Sequence, residues 1–189
     1  QRKLSNAGIA TRILSISDCH VPFQLSIDKL EKYKGRVDIL QLNGDIGDCQ
    51  SISSYSKIYR VSPMEEIIET RQYIIDLIEY INPKKVVVNY GNHDIRFQNY
   101  LAKNLDSDVL ELMPQTSLEL IFVDGFKHYN KREKTKVEYK SLVEVFDDIE
   151  IEYTGNWHNQ IGDCIFCHPK AFSSGILKTS EKAMLWFRN

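Results

Sequence analysis

Three short stretches hold most of the side chains able to do chemistry. Asp18-Cys19-His20, Gly44-Asp45-Ile46-Gly47-Asp48 and Gly91-Asn92-His93-Asp94 each follow an apolar run, and His168 follows a fourth, Cys164–Cys167. Two carboxylates as close in a loop as Asp45 and Asp48 need a cation or a proton nearby to be tolerated. Asp-x-His aims two ligands the same way from one strand end, because residues two apart share a face. Asp18, His20, Asp45, Asn92, His93 and His168 together offer mixed oxygen and imidazole donors, a set suited to Mn, Fe or Zn.

These residues need a frame. Residues 12–17, 37–42, 85–90 and 164–167 are apolar runs rich in β-branched residues and read as strands. Gly44 and Gly47 allow a sharp turn just past the second of them. Ser62, Pro63 and Glu65 open a helix as cap, first residue and capping-box partner, with apolar positions 64, 67, 68, 74, 75, 78 and 81 at helical spacing, and Pro83 closes it. Strand, long helix, strand is the crossover of a parallel pair. In such sheets, ligands bind in the crevice beyond the carboxyl ends of the strands. A shorter helix is expected after Ser26, with Ile27, Leu30 and Tyr33 on one face and Gly35 at its end.

Asp-x-His, Gly-Asp-x-x-Asp and Gly-Asn-His-Asp, each after a strand and in this order, resemble the calcineurin-like metallophosphoesterase family. The resemblance runs from about Ile13 to the end of the chain. It implies an α/β fold, a four-layer αββα sandwich with two mixed β-sheets. It implies a phosphate mono- or diesterase with two divalent metal ions (Mn, Fe or Zn), in which a metal-bridging hydroxide attacks the phosphorus. By motif match, Asp18 and His20 resemble ligands of the first metal, Asp45 the bridging carboxylate, and Asn92 and His168 ligands of the second. His93 resembles the catalytic histidine, which protonates the leaving oxygen or stabilises phosphoryl charge, so that Asn92 and His93 both face substrate. Asp48 matches the carboxylate that orients His93 and is expected to raise its pKa.

Farther along the chain, Asp94 reads as an N-cap for a helical pattern over residues 95–103, followed by two more over 106–113 and 117–122. Residues 125–140 read as a charged loop. Its bland reading is a solvated surface. Its sharper one is contact with a phosphate-rich partner, nucleic acid included, through Lys127, Lys131, Arg132 and Lys134, which would make the enzyme a nuclease. A short helix over 141–147 precedes residues 149–153, 157–161 and 164–167, which read as an antiparallel meander. His128 and His158 read as solvated. A last helix over 180–188 places Ala183, Met184 and Phe187 on one face.

Composition narrows the class. The chain has 189 residues, 42% hydrophobic and 26% charged, as an ordinary globular domain does. A formal net charge of −2 argues against a globally basic nucleic-acid binder. No apolar run approaches the roughly 18–20 residues of a membrane span. Cys164 and Cys167, three apart on a strand, face opposite sides, so they read with Cys19 and Cys49 as buried free thiols of a cytoplasmic protein.

The resemblance also has a gap. The family closes its site with Gly-His-x-His after one more strand, and that motif is absent here. Residues 1–189 are therefore expected to form one metallophosphoesterase domain without its C-terminal strand and that loop. A non-catalytic binding scaffold on the same fold is the rival reading, disfavoured because the early ligand motifs are intact. Cys49 follows Asp48 where the family's protein phosphatases carry Arg, which weakens a phosphoprotein substrate.

Overall fold

The computed structural model describes residues 10–54, 61–131, 133–169 and 178–188. Four strands form one parallel sheet: β1 (Ile13–Ile16), β2 (Ile39–Asn43), β3 (Lys85–Asn89) and β6 (Glu150–Tyr153), in the order β1-β2-β3-β6. The central strands, Ile-Leu-Gln-Leu-Asn and Lys-Val-Val-Val-Asn, are almost wholly buried, as strands covered on both faces must be. Ile16 aligns with Leu42, Asn43 with Asn89, and Val88 with Tyr153. The carboxyl ends of all four strands thus lie along one edge, and the loops carrying Asp18, Asp45 and Asn92 leave from it.

The crossover helix α1 (Pro63–Ile81) begins as its sequence requires. The Ser62 hydroxyl accepts from Glu65 N, and the Glu65 carboxylate accepts from Ser62 N. Asn82 ends it in a left-handed conformation ahead of Pro83. Ile67, Ile74, Leu77, Ile78 and Ile81 bury one stripe against Leu40, Leu42, Val86 and Val88 of the sheet. Each such side chain contributes about 1.5–3 kcal/mol when fully buried. This stripe sets where α1 lies, and two polar residues on it reach the site loops. The buried Glu66 carboxylate accepts from Gln50 N and Ser51 N at 2.9 Å each. Thr70 packs against Gly47 so closely that an added Cβ would lie 2.9 Å from its hydroxyl.

Several expectations change. The stretch over 149–167 is not one meander. β6 joins the parallel sheet beside β3, held at its start by Lys85, whose ammonium lies 2.7 Å from both Glu150 and Glu152. Within this stretch it is β7 (His158–Ile161) and β8 (Cys164–Cys167) that pair antiparallel. The charged stretch is not a loop either. It is a hairpin of β4 (Phe126–Asn130) and β5 (Thr135–Tyr139), closed at its base by Phe126 stacked on Tyr139 at 4.8 Å. The segment after Ser26 is a 3-10 helix, Ile27–Tyr33, and Ser26 bonds Asp28 rather than capping it. Between these elements lie the short helices α2 (Arg96–Ala102), α3 (Ser107–Leu110), α4 (Ser117–Glu119) and α5 (Leu142–Val145). The α/β class is as expected, with parallel and antiparallel pairing divided between sheets.

The last helix, α6 (Lys178–Arg188), buries none of its residues fully. Trp186 and Phe187 instead form ring contacts with Trp157 and His158. His158 is therefore not solvated, because these rings displace water from it. Cys164 is exposed rather than buried, at the turn of the β7–β8 hairpin; Cys19 and Cys167 are half-buried, and all four thiols are free.

Candidate metal centre

Three loops interlock at the carboxyl edge of the sheet. Asp18 N donates to Gly44 O at 3.2 Å and His20 N to Asp45 O at 3.1 Å, laying the first loop on the second. Val21 N donates to Ile46 O and Asp48 N to Val21 O, which continues the pairing past the metal-ligand types. The third loop is wedged beneath. Gly91 lies so near Asp45 that a Cβ there would sit 2.7 Å from its backbone N and 2.8 Å from its Cγ. Gly44, at φ +81°, is equally tight against Gly91 N and the His168 Cβ. Only glycine fits either position. Asp18, His20, Asp45 and Cys49 all have φ of 50–53°, and they account for four of the six non-glycine residues with positive φ among those described. Such conformations cost of order 1–3 kcal/mol each and persist where surrounding structure enforces them.

Asp45 is the hub. It is 3% exposed; its Oδ1 accepts from His93 N at 2.8 Å, and its Oδ2 lies 3.2 Å from His168 Nε2 and 3.9 Å from His93 Nε2. Burial would raise the Asp45 pKa, but the His168 hydrogen bond and the His93 N–H outweigh it, so the group is held below the usual carboxylate range. His168 Nδ1 donates to Asn43 O at 3.1 Å, which turns Nε2 toward the cavity. There Nε2 meets two oxygens, Asp45 Oδ2 and Asn92 Oδ1, each at 3.2 Å. Burial pulls the His168 pKa down, yet the bond to Asp45, the charges of Asp45 and Asp18 and the Asn43 carbonyl lift it overall. A lone pair facing two acceptor oxygens needs a proton or a metal ion between them, so this donor set fits a cation.

The ligand-type atoms fall into two groups that share one residue: His20, Asp45 and His93 in one, Asp18, Asp45 and His168 in the other, with the atoms of each group within 4.8 Å of one another. Asp18, His20, Asp45, Asn92, His93 and His168 all line a single cavity of about 380 Å³. Asp48, the seventh expected residue, stands behind it. Asp48 Oδ1 lies 3.1 Å from both His20 Nδ1 and His93 Nδ1, so one carboxylate orients two imidazoles, where only the second was expected. The two rings meet edge to face, centroids 4.4 Å apart.

Two readings are corrected. His93 is shifted downward, not upward. Its burial, with the Arg96 guanidinium beside it, outweighs Asp45 and Asp48. Asp94 does not cap a helix. Its side chain accepts from Asp45 N and Gly91 N at 2.8 Å each, bracing the two loops from below, while Ile95 takes the cap position. Full burial, then the charge of Asp45, pushes Asp94 up to about 7. The two polar residues that motif reading missed are Asn43 and Arg96. Arg96 Nη1 donates to Asp48 O at 2.8 Å and Nη2 to His93 Nε2 at 2.9 Å. Its sequence signal was weak: an arginine three residues after a histidine, in the first turn of α2.

The sequence matches the family described as calcineurin-like phosphoesterase over residues 11–174. The chain belongs to this family. Searches of curated proteins and of solved structures returned no match. As a calcineurin-like phosphoesterase, the protein falls among hydrolases that act on phosphoesters with the help of metal ions, and its His and Asp groups suit that chemistry. Among the described residues, no helix of this phosphoesterase is long and apolar enough to cross a membrane.

Proposed function

We propose that the protein hydrolyses phosphate mono- or diesters with two divalent metal ions, Mn, Fe or Zn. Asp18, His20, Asp45, Asn92 and His168 would hold them, with Asp45 shared. The observation that carries this is the pair of donor groups meeting at one buried carboxylate. Two neighbouring cations repel, and an anion common to both offsets that repulsion. Asn92 adds a neutral oxygen, which leaves the centre net positive toward phosphate. When bound, the ions supply Lewis acidity and a water acidic enough to attack phosphorus near neutral pH.

The chain's own residues do the rest. Asp48 fixes the proton of His93 at Nδ1, so Nε2, which accepts from Arg96 Nη2, is the nitrogen that would be shared between Arg96 and the phosphoryl group. His93 would serve as a hydrogen-bonding and charge-stabilising group that, when protonated at Nε2, donates that proton to the leaving oxygen as the P–O bond breaks; burial, which holds its pKa down, favours that donation. Arg96 holds the imidazole from the other side. The hairpin lysines Lys127, Lys131 and Lys134, beside the exposed Tyr129, would favour an extended polyanionic substrate such as nucleic acid; Arg132 lies outside the described residues. The free thiols fit a cytoplasmic setting.

The test is metal content together with turnover of chromogenic phosphate mono- and diesters. The parent is expected to bind about two equivalents of metal and to release product. Asp45→Asn should lose metal at both positions, whereas Ser54→Ala, on an exposed loop, should not. Full metal occupancy in the Asp45 variant would remove its shared role.

A further inference from the structure

A second cavity, of about 220 Å³, adjoins the metal centre, and Ser17 and Asp18 belong to the walls of both. Its remaining walls differ in character. Cys19, Phe23, Leu25, Leu30 and Tyr73 make it mainly apolar, and Lys29 adds a cation. Phe23 is 57% exposed and Leu25 79% exposed, so two large apolar side chains present more than half of their surface beside the candidate metal centre. An apolar surface next to a polar site marks a place where part of a ligand is held.

The position of these side chains is fixed relative to the metal-ligand types. Phe23 N donates to His20 O at 2.7 Å, so a tight turn carries the chain from His20 to Phe23. Val21 is pinned on both sides to the Gly-Asp-x-x-Asp loop, through Ile46 O and Asp48 N. Asp18 therefore lines both the cavity of the metal centre and the apolar one beside it.

We propose that this second cavity is a specificity subsite for an aromatic group esterified to the phosphate; the proposal rests on the phosphoesterase reading above. An enclosed cavity of about 150 Å³ accepts benzene, so the space here suffices for one aromatic ring. The ring would lie against Phe23 and Leu25 with its phosphate reaching past Asp18, and the Lys29 ammonium would favour an electron-rich face.

Substituting the two exposed residues tests this without disturbing the core. In Phe23→Ser and Leu25→Ser, kcat/KM for phenyl phosphate esters should fall about tenfold each, the usual weight of an apolar pocket contact, while methyl phosphate esters should be unaffected. Equilibrium binding gives a second readout that needs no turnover. Phenylphosphonate should bind the metal-loaded parent about tenfold more tightly than methylphosphonate, and both variants should erase that preference. Equal losses on the two esters, or no preference between the two phosphonates in the parent, would overturn the subsite. If neither ester is hydrolysed but the phosphonate preference exists and vanishes in the variants, the subsite stands and the hydrolytic reading fails.

Discussion

Gly91→Ala is a small change with a specific consequence. The added Cβ would lie 2.7 Å from Asp45 N and 2.8 Å from Asp45 Cγ, and closer still to Oδ1. Real Cβ atoms do not approach others so closely, so something must move. Asp45 cannot retreat far, because its N–H is held by Asp94 and its Oδ1 by His93 N. The variant must break one of these bonds or shift the third loop. Overpacking of this kind costs about 1–3 kcal/mol. In a domain of this size that corresponds to a melting point lower by roughly 3–10 °C. The larger effect concerns metal. A displaced Asp45 withdraws a donor from both groups at once, so occupancy should fall at both positions together, not one. Metal analysis after dialysis, beside a melting curve, reads both quantities. Gly35→Ala is the control: it meets nothing within 4 Å but sits at φ +64°, so it should cost about 1 kcal/mol of stability with metal content intact. A Gly91→Ala protein with the parent's metal content would show that the close approach to Asp45 does not position the carboxylate.

His93→Gln should retain metal and fold and lower kcat by about 10²–10⁴, the range for a lost proton-transfer group; turnover at the parent rate would exclude that role. Arg96→Met should lower kcat with little change in KM, because Arg96 touches His93 and not the cavity, and Arg96→Lys should restore only part of it, since an ammonium on a flexible stem lacks the planar fork that holds Asp48 O and His93 Nε2 at once; unchanged kcat in Arg96→Met would refute the positioning role. Asp38, far from the site, accepts from Arg12 N, then from the Arg12 and Lys84 side chains, and is held well below the usual carboxylate range. A depressed acid stabilises the fold above its unfolded pKa of about 3.9 and loses that contribution as pH falls toward its folded value. Urea unfolding should therefore show parent and Asp38→Asn farther apart at pH 7 than at pH 3, and a constant gap would exclude the charge network as the cause. If the hairpin binds nucleic acid, Lys131→Ala with Lys134→Ala should weaken binding and reduce its salt slope while model ester turnover stays the same; a parent protein that does not bind at low salt would remove that substrate class.

The loops of the metal centre were legible because each is local. An apolar run ending in Asp-x-His or Gly-Asp-x-x-Asp states both the strand and what it presents, and parallel alignment of β1, β2 and β3 then brings the ends together. What was illegible depends on distant partners. β6 alternates apolar and polar residues as an edge strand does, and nothing local says whether it will run parallel to β3 or pair with β7. In the fold, Ile151 and Tyr153 of β6 pack against the core beside β3, with the exposed Lys85 pairs to Glu150 and Glu152 adding little. In the hairpin β4–β5 the lysines hid the alternation of Phe126, His128, Val137 and Tyr139, whose side chains share the less exposed face.

Asp94 and Arg96 show the same limit at the centre itself. An aspartate before a helix is a cap by local rules, but here the N–H groups of Asp45 and Gly91 are nearer partners, and a fully buried carboxylate takes the donors that tertiary structure provides. Arg96 lies one residue into α2, where a cation is unfavourable to the helix dipole. That local cost is accepted because the guanidinium satisfies both Asp48 O and the imidazole of His93. Neither side chain serves its helix, and each instead makes a contact that fixes a motif residue in place. Asp94 braces the backbone of Asp45, and Arg96 and Asp48 hold His93 from opposite sides. The motif residues thus supply the chemistry, while their orientation comes from neighbours that local sequence rules assign to other tasks.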